Sequence, residues 1–280
     1  MTEIELFPRL TDWEPTRQTL HLYSRAVGAV ARAHAEFHPK WWHISLNVRP
    51  DGLETNPMAL PGGGQFWLTI DLRRHVTILY TDQGPFREFS LAGGLSATEF
   101  GEQIFSAVAE LGLEADYKRD NFQDDEPRQY DPAAAEKFLG VLLNVNRIFD
   151  DHRTLLLERS AFQGQVSPLN FWTHGFDLSF EWLGSRVVTY ESEGKIEEYP
   201  SQINLGYYPS GDPYFYSNPW PFEADQLLDQ SLPAGAIWHT EGWQGTMLRY
   251  EQLVGDRNAE ARLREYAQAV FDICSPTLMV

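Results

Sequence analysis

The chain has 280 residues, 42% of them hydrophobic and 14% aromatic, enough apolar surface for a large core in one domain or two fused smaller ones. Forty acidic side chains against 22 basic ones leave a formal charge of −18, a sign that repels phosphate backbones and argues against nucleic acid and anionic membrane as partners. Cys274 is the only cysteine, which rules out an internal disulfide, and with no secretory signal and no run near the ~20 apolar residues of a membrane span the expected compartment is the cytoplasm.

Leu20, Tyr23, Val27, Val30, His34 and Phe37 recur at steps of three and four and predict an amphipathic helix over about residues 16–37. The period then changes to two. In "WHISLNVR", Trp42, Ile44, Leu46 and Val48 alternate with polar residues, and "FWLTIDL", "HVTILY" and "FREFSL" repeat the pattern. "LPGGGQF" reads as a hairpin tip rather than a phosphate cradle, because no strand feeds it into a helix. Ser96 and Glu99 form the S-x-x-E box that opens a second helix, closed at Gly112. After the acidic linker "YKRDNFQDDEPRQY", Asp131 caps a third helix with Pro132 in its first turn. Further strands are predicted at "FDLSFEW", "RVVTY", "QINLGYY", "AIWHTEGW" and "GTMLRY". A fourth helix, capped by Asn258 or Asp256, buries Leu263, Tyr266, Val270 and Cys274.

Tight breaks such as "PDG", "DQG" and "LGS" call for antiparallel meanders, since parallel crossovers need a dozen or more residues. The fold class is α+β, antiparallel sheets with flanking helices. The order helix, strands, helix occurs twice, giving an N-terminal half over residues 1–120 and a C-terminal half over residues 121–280 that either stand apart or pack as one compact domain. The halves share element order and no evident sequence identity, so pseudo-symmetry and coincidence both remain open.

Four groups of residues have the composition of a site. "HAEFHPKWWH" sets His34 and His38 four apart, a spacing that can grip a metal on a helix; Pro39 and the lack of a specified third ligand weigh against it, and no metal is expected. "SPLNFWTHGFDLSF" offers Asn170, His174 and Asp177, although strand alternation alone explains the second half of that stretch. In the aromatic stretch at 203–222, which offers the ring faces of Tyr207, Tyr208 and Tyr216, four Pro and two Gly exclude a continuous strand or helix through the second part, as in a long ordered loop that covers a site. "WHTEGW" places His239 and Glu241 on one face, while Trp42 and His43 complete the candidate ligand-binding set. Nucleophile elbows, phosphate loops and dinucleotide fingerprints are missing, and no motif names a cofactor or an oligomeric state. The leading expectation is a small-molecule-binding protein with an aromatic, His- and carboxylate-lined cleft. Two alternatives stay open: a hydrolase or isomerase using His with Asp or Glu, and a protein-interaction module using an aromatic surface.

"FPRLTDWEPTRQTLHLYSRAVG", "WWHISLNVRPDGLETNPM", "FWLTIDLRRHVTILYTDQG", "YDPAAAEKFLGVLLNVNRIFDDHR" and "SPLNFWTHGFDLSF" together resemble the bacterial family termed domain of unknown function 5996. The resemblance runs from about residue 7 to residue 274. It implies a cytoplasmic bacterial protein and transfers no catalytic residue. Relatives resemble "SPVHFFWGSFDL" at the last motif, with His at the position of Asn170 and Trp-Gly at those of Thr173 and His174.

Overall fold

The computed structural model describes residues 5–158, 165–192 and 194–280. The fold is α+β, and the chain divides into two compact units that interleave along the sequence. One comprises Leu10–Leu143 and Asn170–Asp177. The other takes the chain up to Arg9, Asn144–Leu169 and Leu178–Val280, as far as these are described.

The first unit opens with helix α1 (Glu14–His34), whose buried stripe includes Leu20, Tyr23, Val27 and Val30. The helix stops three residues short of the predicted Phe37. Ala35 is already extended (ψ 149°), and Pro39 disfavours helical geometry at His38. The second difference follows directly: Trp42–Ile44 form a 3-10 turn rather than the start of a strand, because Trp41 adopts a left-handed conformation (φ 61°) and its carbonyl accepts from Ile44 N. Strand β1 therefore begins at Leu46 and spans Leu46–Arg49.

Next come β2 (Gly52–Thr55), β3 (Met58–Ala59), β4 (Gln65–Asp71), β5 (Val76–Thr81), β6 (Gly84–Ser90) and, much later in the chain, β7 (Asn170–Trp172). Their order is β7-β1-β2-β4-β5-β6 with β3 on β4, and these strands pair antiparallel, with Leu46 opposite Phe171 and Leu53 opposite Ile70. Leu46, Leu53, Phe66, Leu68, Ile70 and Leu79 share one apolar face. Helix α2 (Ala97–Glu110) has the predicted capping box, with Glu99 N donating to Ser96 Oγ at 3.1 Å and Ser96 N to the Glu99 carboxylate at 2.9 Å. It packs on α1 through Tyr23 and Phe100, stacked at 3.7 Å. Helix α3 (Pro132–Glu158) starts in this unit, capped by Asp131 as Ala133 N donates to its Oδ1 at 2.9 Å, and Phe138 stacks on Trp13 at 4.8 Å.

In the second unit, β8 (Asp177–Ser192) and β9 (Lys195–Tyr208) form a long hairpin, joined by β10 (Tyr214–Ser217), β11 (Pro219–Trp220), β12 (Ile237–His239) and β13 (Gly245–Arg249). The stretch 203–222 is thus not one loop. It holds the end of β9 and the short strands β10 and β11, with Tyr216 opposite Gly206. Gly206 is required there: a Cβ would lie 2.2 Å from the Tyr216 ring. Short α4 (Ala224–Leu227) and α5 (Ala259–Cys274) complete the unit, whose core includes Phe7, Phe180, Trp182, Phe215, Tyr250 and Phe271. Cys274 packs inside this core, and burial pushes its thiol up to about 12. Among the described residues no helix is long and apolar enough to cross a membrane.

Candidate functional site

In the first unit, α1 lays Arg25, Gly28, Ala29 and Arg32 along one face at steps of three and four. Three other pieces of chain meet that face: Ile44 from the 3-10 turn, Lys118 and Asn121 from the segment after α2, and Thr173 and His174 from the turn that follows β7. Together they enclose a cleft of about 190 Å³. Arg32 and Lys118 also border an adjoining cavity of about 580 Å³, which Asp116, Tyr117 and Asp120 help to line.

Local backbone chemistry fixes the cleft wall. Phe176 sits in the left-handed region (φ 57°), a conformation that costs an aromatic residue roughly 1–3 kcal/mol. Its ring is fully buried beside Phe171, Phe138 and His21, and burial of a Phe side chain contributes a similar ~1.5–3 kcal/mol in the other direction. The turn so held closes with Phe176 N donating to Trp172 O at 2.7 Å. It turns the His174 carbonyl towards α1, where Arg25 Nη2 donates to it at 2.6 Å and His21 Nε2 at 3.1 Å. Gly28 lets the turn come this close, since a Cβ there would meet Thr173 Oγ1 at 2.5 Å.

Arg25 is anchored on carbonyls alone. Nη1 donates to Asn121 O at 2.8 Å and Nη2 to His174 O, while the buried Nε has no acceptor among the described residues. Arg32 lies over the Trp41 ring, 4.7 Å from its centroid, and Trp41 in turn packs on His43 and Phe37. The strained Trp41 backbone thereby supports a cation at the cleft. Burial, then repulsion from Arg25, lowers the His21 pKa to about 4. His21 is therefore neutral at pH 7, with its Nε2–H as the donor. The His174 ring is open to solvent on one side, yet its packed side is enough for burial, with Arg25 adding to it, to hold its pKa below the ordinary imidazole value.

The sequence candidates fall into two groups, one in each unit. In the first unit His174 lines the cleft. Asn170 does not line it: its side chain is buried, with Oδ1 accepting from Ser45 Oγ at 2.8 Å. His43 is buried and accepts from His38 N at 3.2 Å, while Trp42 stacks on His38 at 4.3 Å. Asp177 is buried with its carboxylate folded back over Gly175, so it presents no solvated polar face. His34 and His38 diverge in their partners, His34 Nε2 lying 2.8 Å from Tyr117 OH, and among the described residues no three His, Cys, Asp or Glu side chains gather as a metal site. In the second unit Tyr207 is fully buried and stacks on Phe215. Tyr208 and Tyr216 flank Tyr214, which stacks on Trp243, and His239 packs against the same indole at 4.2 Å. Glu241 is exposed.

The cleft can offer hydrogen-bond donors and positive charge. It contains no carboxylate beside His174 to tune proton transfer. A histidine–carboxylate pair with a tyrosine does occur, His75 Nε2 at 3.4 Å from Glu136 and Nδ1 at 3.0 Å from Tyr130 OH, but none of these three residues lines the cleft. Arg25, Arg32, Lys118, Asn121 and Thr173 were not sequence candidates. The available signal was the pair of arginines seven apart with Gly28 and Ala29 between them, small residues on a face that would otherwise read as solvated.

Fold and cleft define an α+β protein with a cleft on a helix face, lined by three cations among smaller and apolar residues. Residues 7–278 match the Family of unknown function (DUF5996), and the chain belongs to that family. No curated protein and no solved structure matches it.

Proposed function

We propose that this protein binds a small molecule in the cleft formed by α1, the Lys118–Asn121 segment and the turn after β7. The observation that carries this reading is the Arg25 guanidinium, held by two backbone carbonyls at the wall of a cleft, with one buried N–H that has no acceptor among the described residues. A buried unsatisfied donor costs ~1–3 kcal/mol, so a ligand that supplies the missing acceptor recovers that free energy. The volumes of the cleft and its adjoining cavity suit a metabolite-sized ligand. Binding is favoured over catalysis because His174 has no carboxylate among the other lining residues of the cleft. The charge of −18 disfavours nucleic acid and anionic membrane as partners, and a single buried thiol accords with a reducing cytoplasm.

The test is a thermal-shift screen of polar metabolites followed by 15N NMR mapping of the hits. Ligands that raise the melting temperature are expected to shift the backbone amides of Asn121, Thr173 and His174. Hits that map only to the Tyr214–Trp243 cluster, or an absence of hits, would overturn the proposal.

A further inference from the structure

The charge of the cleft runs against that of the chain. Arg25, Arg32 and Lys118 line it, and no Asp or Glu does. None of the three cations forms an ion pair among the described residues. Elsewhere in the same unit most arginines are paired with carboxylates, among them Arg74 with Glu88, Arg87 with Glu110 and Arg119 with Glu102, although Arg73 donates only to the Pro50 carbonyl. In a molecule with 40 acidic side chains, three cations converging on one concave surface without a carboxylate is a local departure that self-pairing does not explain.

Resting on the binding reading above, we infer that the ligand carries an oxyanion head, a phosphate or a carboxylate, held in the cleft by Arg25, Arg32 and Lys118. The pieces fit that chemistry. Arg25 and Arg32 are seven residues apart on α1, roughly 10 Å along its axis, and Gly28 and Ala29 leave the surface between them bare of long side chains. Carbonyl dipoles and an indole face orient the two guanidinium groups without neutralising them, so an incoming anion displaces no internal counter-ion. The Asn121 amide and the Thr173 hydroxyl add polar groups around the head. Asp116 and Asp120 in the adjoining cavity oppose a second anionic group, so the rest of the ligand is uncharged or cationic. A small anion needs only the local field, which dominates within the ~8 Å screening length at physiological salt. An extended polyanion would instead lie along the acidic surface.

The experiment is a 15N NMR titration of the intact protein with inorganic phosphate and, separately, with acetate, at ionic strength held constant with sodium chloride. The Arg25 Nε–H and the amides of Asn121 and His174 are expected to shift saturably, with a dissociation constant of about 1–10 mM for so small an ion. Arg32→Gln and Lys118→Gln should each weaken binding by about threefold to tenfold, while Arg87→Gln changes it less than twofold. Arg25→Gln should abolish the response; should it fail to fold, the Arg32 and Lys118 variants decide the matter. Saturation by phosphate alone identifies a phosphate ester as the ligand class, and saturation by acetate alone a carboxylate. No saturable shift with either ion overturns the inference, as does equal weakening by Arg87→Gln. In those cases a neutral metabolite that still shifts the same amides leaves the binding reading standing, and its absence removes both.

Discussion

Gly28→Ala sets two known effects against each other. In a helix interior, Ala is favoured over Gly by about 1 kcal/mol, so on an uncrowded face the substitution stabilises. At Gly28 the added methyl would lie 2.5 Å from Thr173 Oγ1 and 3.2 Å from both its Cβ and Cγ2, so the closest contact is 0.9 Å short of ordinary contact at 3.4 Å. Thr173 is 6% exposed and β-branched, so its χ1 freedom is small and relief must come from the turn backbone. Overpacking of this kind costs about 1–3 kcal/mol. The balance is a net loss of about 1 kcal/mol, read as a lower urea midpoint at unchanged slope. Thr173→Ala removes Oγ1, the closest atom, and Cγ2, leaving only the Cβ contact at 3.2 Å, so in the double variant most of the clash is relieved and the helix preference largely reappears. A double-mutant cycle should return a coupling of at least ~1 kcal/mol. If Gly28→Ala alone stabilised by the full propensity term, or if the two substitutions were additive, the turn would not be seated on α1 and the cleft would lose its wall.

Two other measurements bear on the same framework. Tyr207→Phe should raise stability by about 1 kcal/mol in urea unfolding, because the Tyr207 hydroxyl is fully buried with no partner among the described residues; a loss instead would mean that the hydroxyl has an acceptor. For His21, with its pKa lowered from 6.5 to about 4, the unfolded chain takes up the proton first as pH falls, so native stability declines between these values and is complete above the upper one. The shift corresponds to at most about 3 kcal/mol, and partial solvent exposure reduces it to roughly 1–2 kcal/mol. His21→Gln, which keeps a donor for the His174 carbonyl, should flatten that stretch of the stability–pH curve, and an unchanged slope would sink the assignment.

What local chemistry determines was readable in the sequence. The Ser96–Glu99 box and the Asp131 cap form because each joins a side chain to a backbone N–H two or three residues away, and no distant contact is needed. The alternation in "FWLTIDL" likewise became β4, with Phe66, Leu68 and Ile70 buried. Alternation failed in "WHIS", where four residues cannot separate a strand from a 3-10 turn and the deciding feature is the left-handed Trp41. It failed differently at Asp177 and Ser179, which alternate correctly in β8 yet are buried, because what covers a strand's polar face is set by chain far away in sequence. In 203–222 the prolines and glycines concealed two short strands. Pro219 pairs opposite Ile203 in a two-residue strand, and Gly206 makes room for Tyr216, so two of the residues that argued for a loop have specific places in the strand pairing, while Pro209, Gly211 and Pro213 do lie in the connection between strands.

The cleft shows most clearly where local reading ends. His174 stands out because an imidazole among aromatic residues is unusual; Arg25 and Arg32 do not, because charged residues on the outer face of an amphipathic helix ordinarily mean solvent. What separates these two from solvated arginines is the company they keep. Arg25 donates to the carbonyl of a residue 149 positions away, and the long-range geometry that brings the turn there is not visible to periodicity. Its trace in the sequence is negative: Gly28 and Ala29 lie between the arginines, where long polar side chains would favour helix and solubility equally well. A helix that gives up side-chain bulk on a charged face is making room for something. Part of that room is filled by Thr173, and the rest is the cleft that the two arginines border.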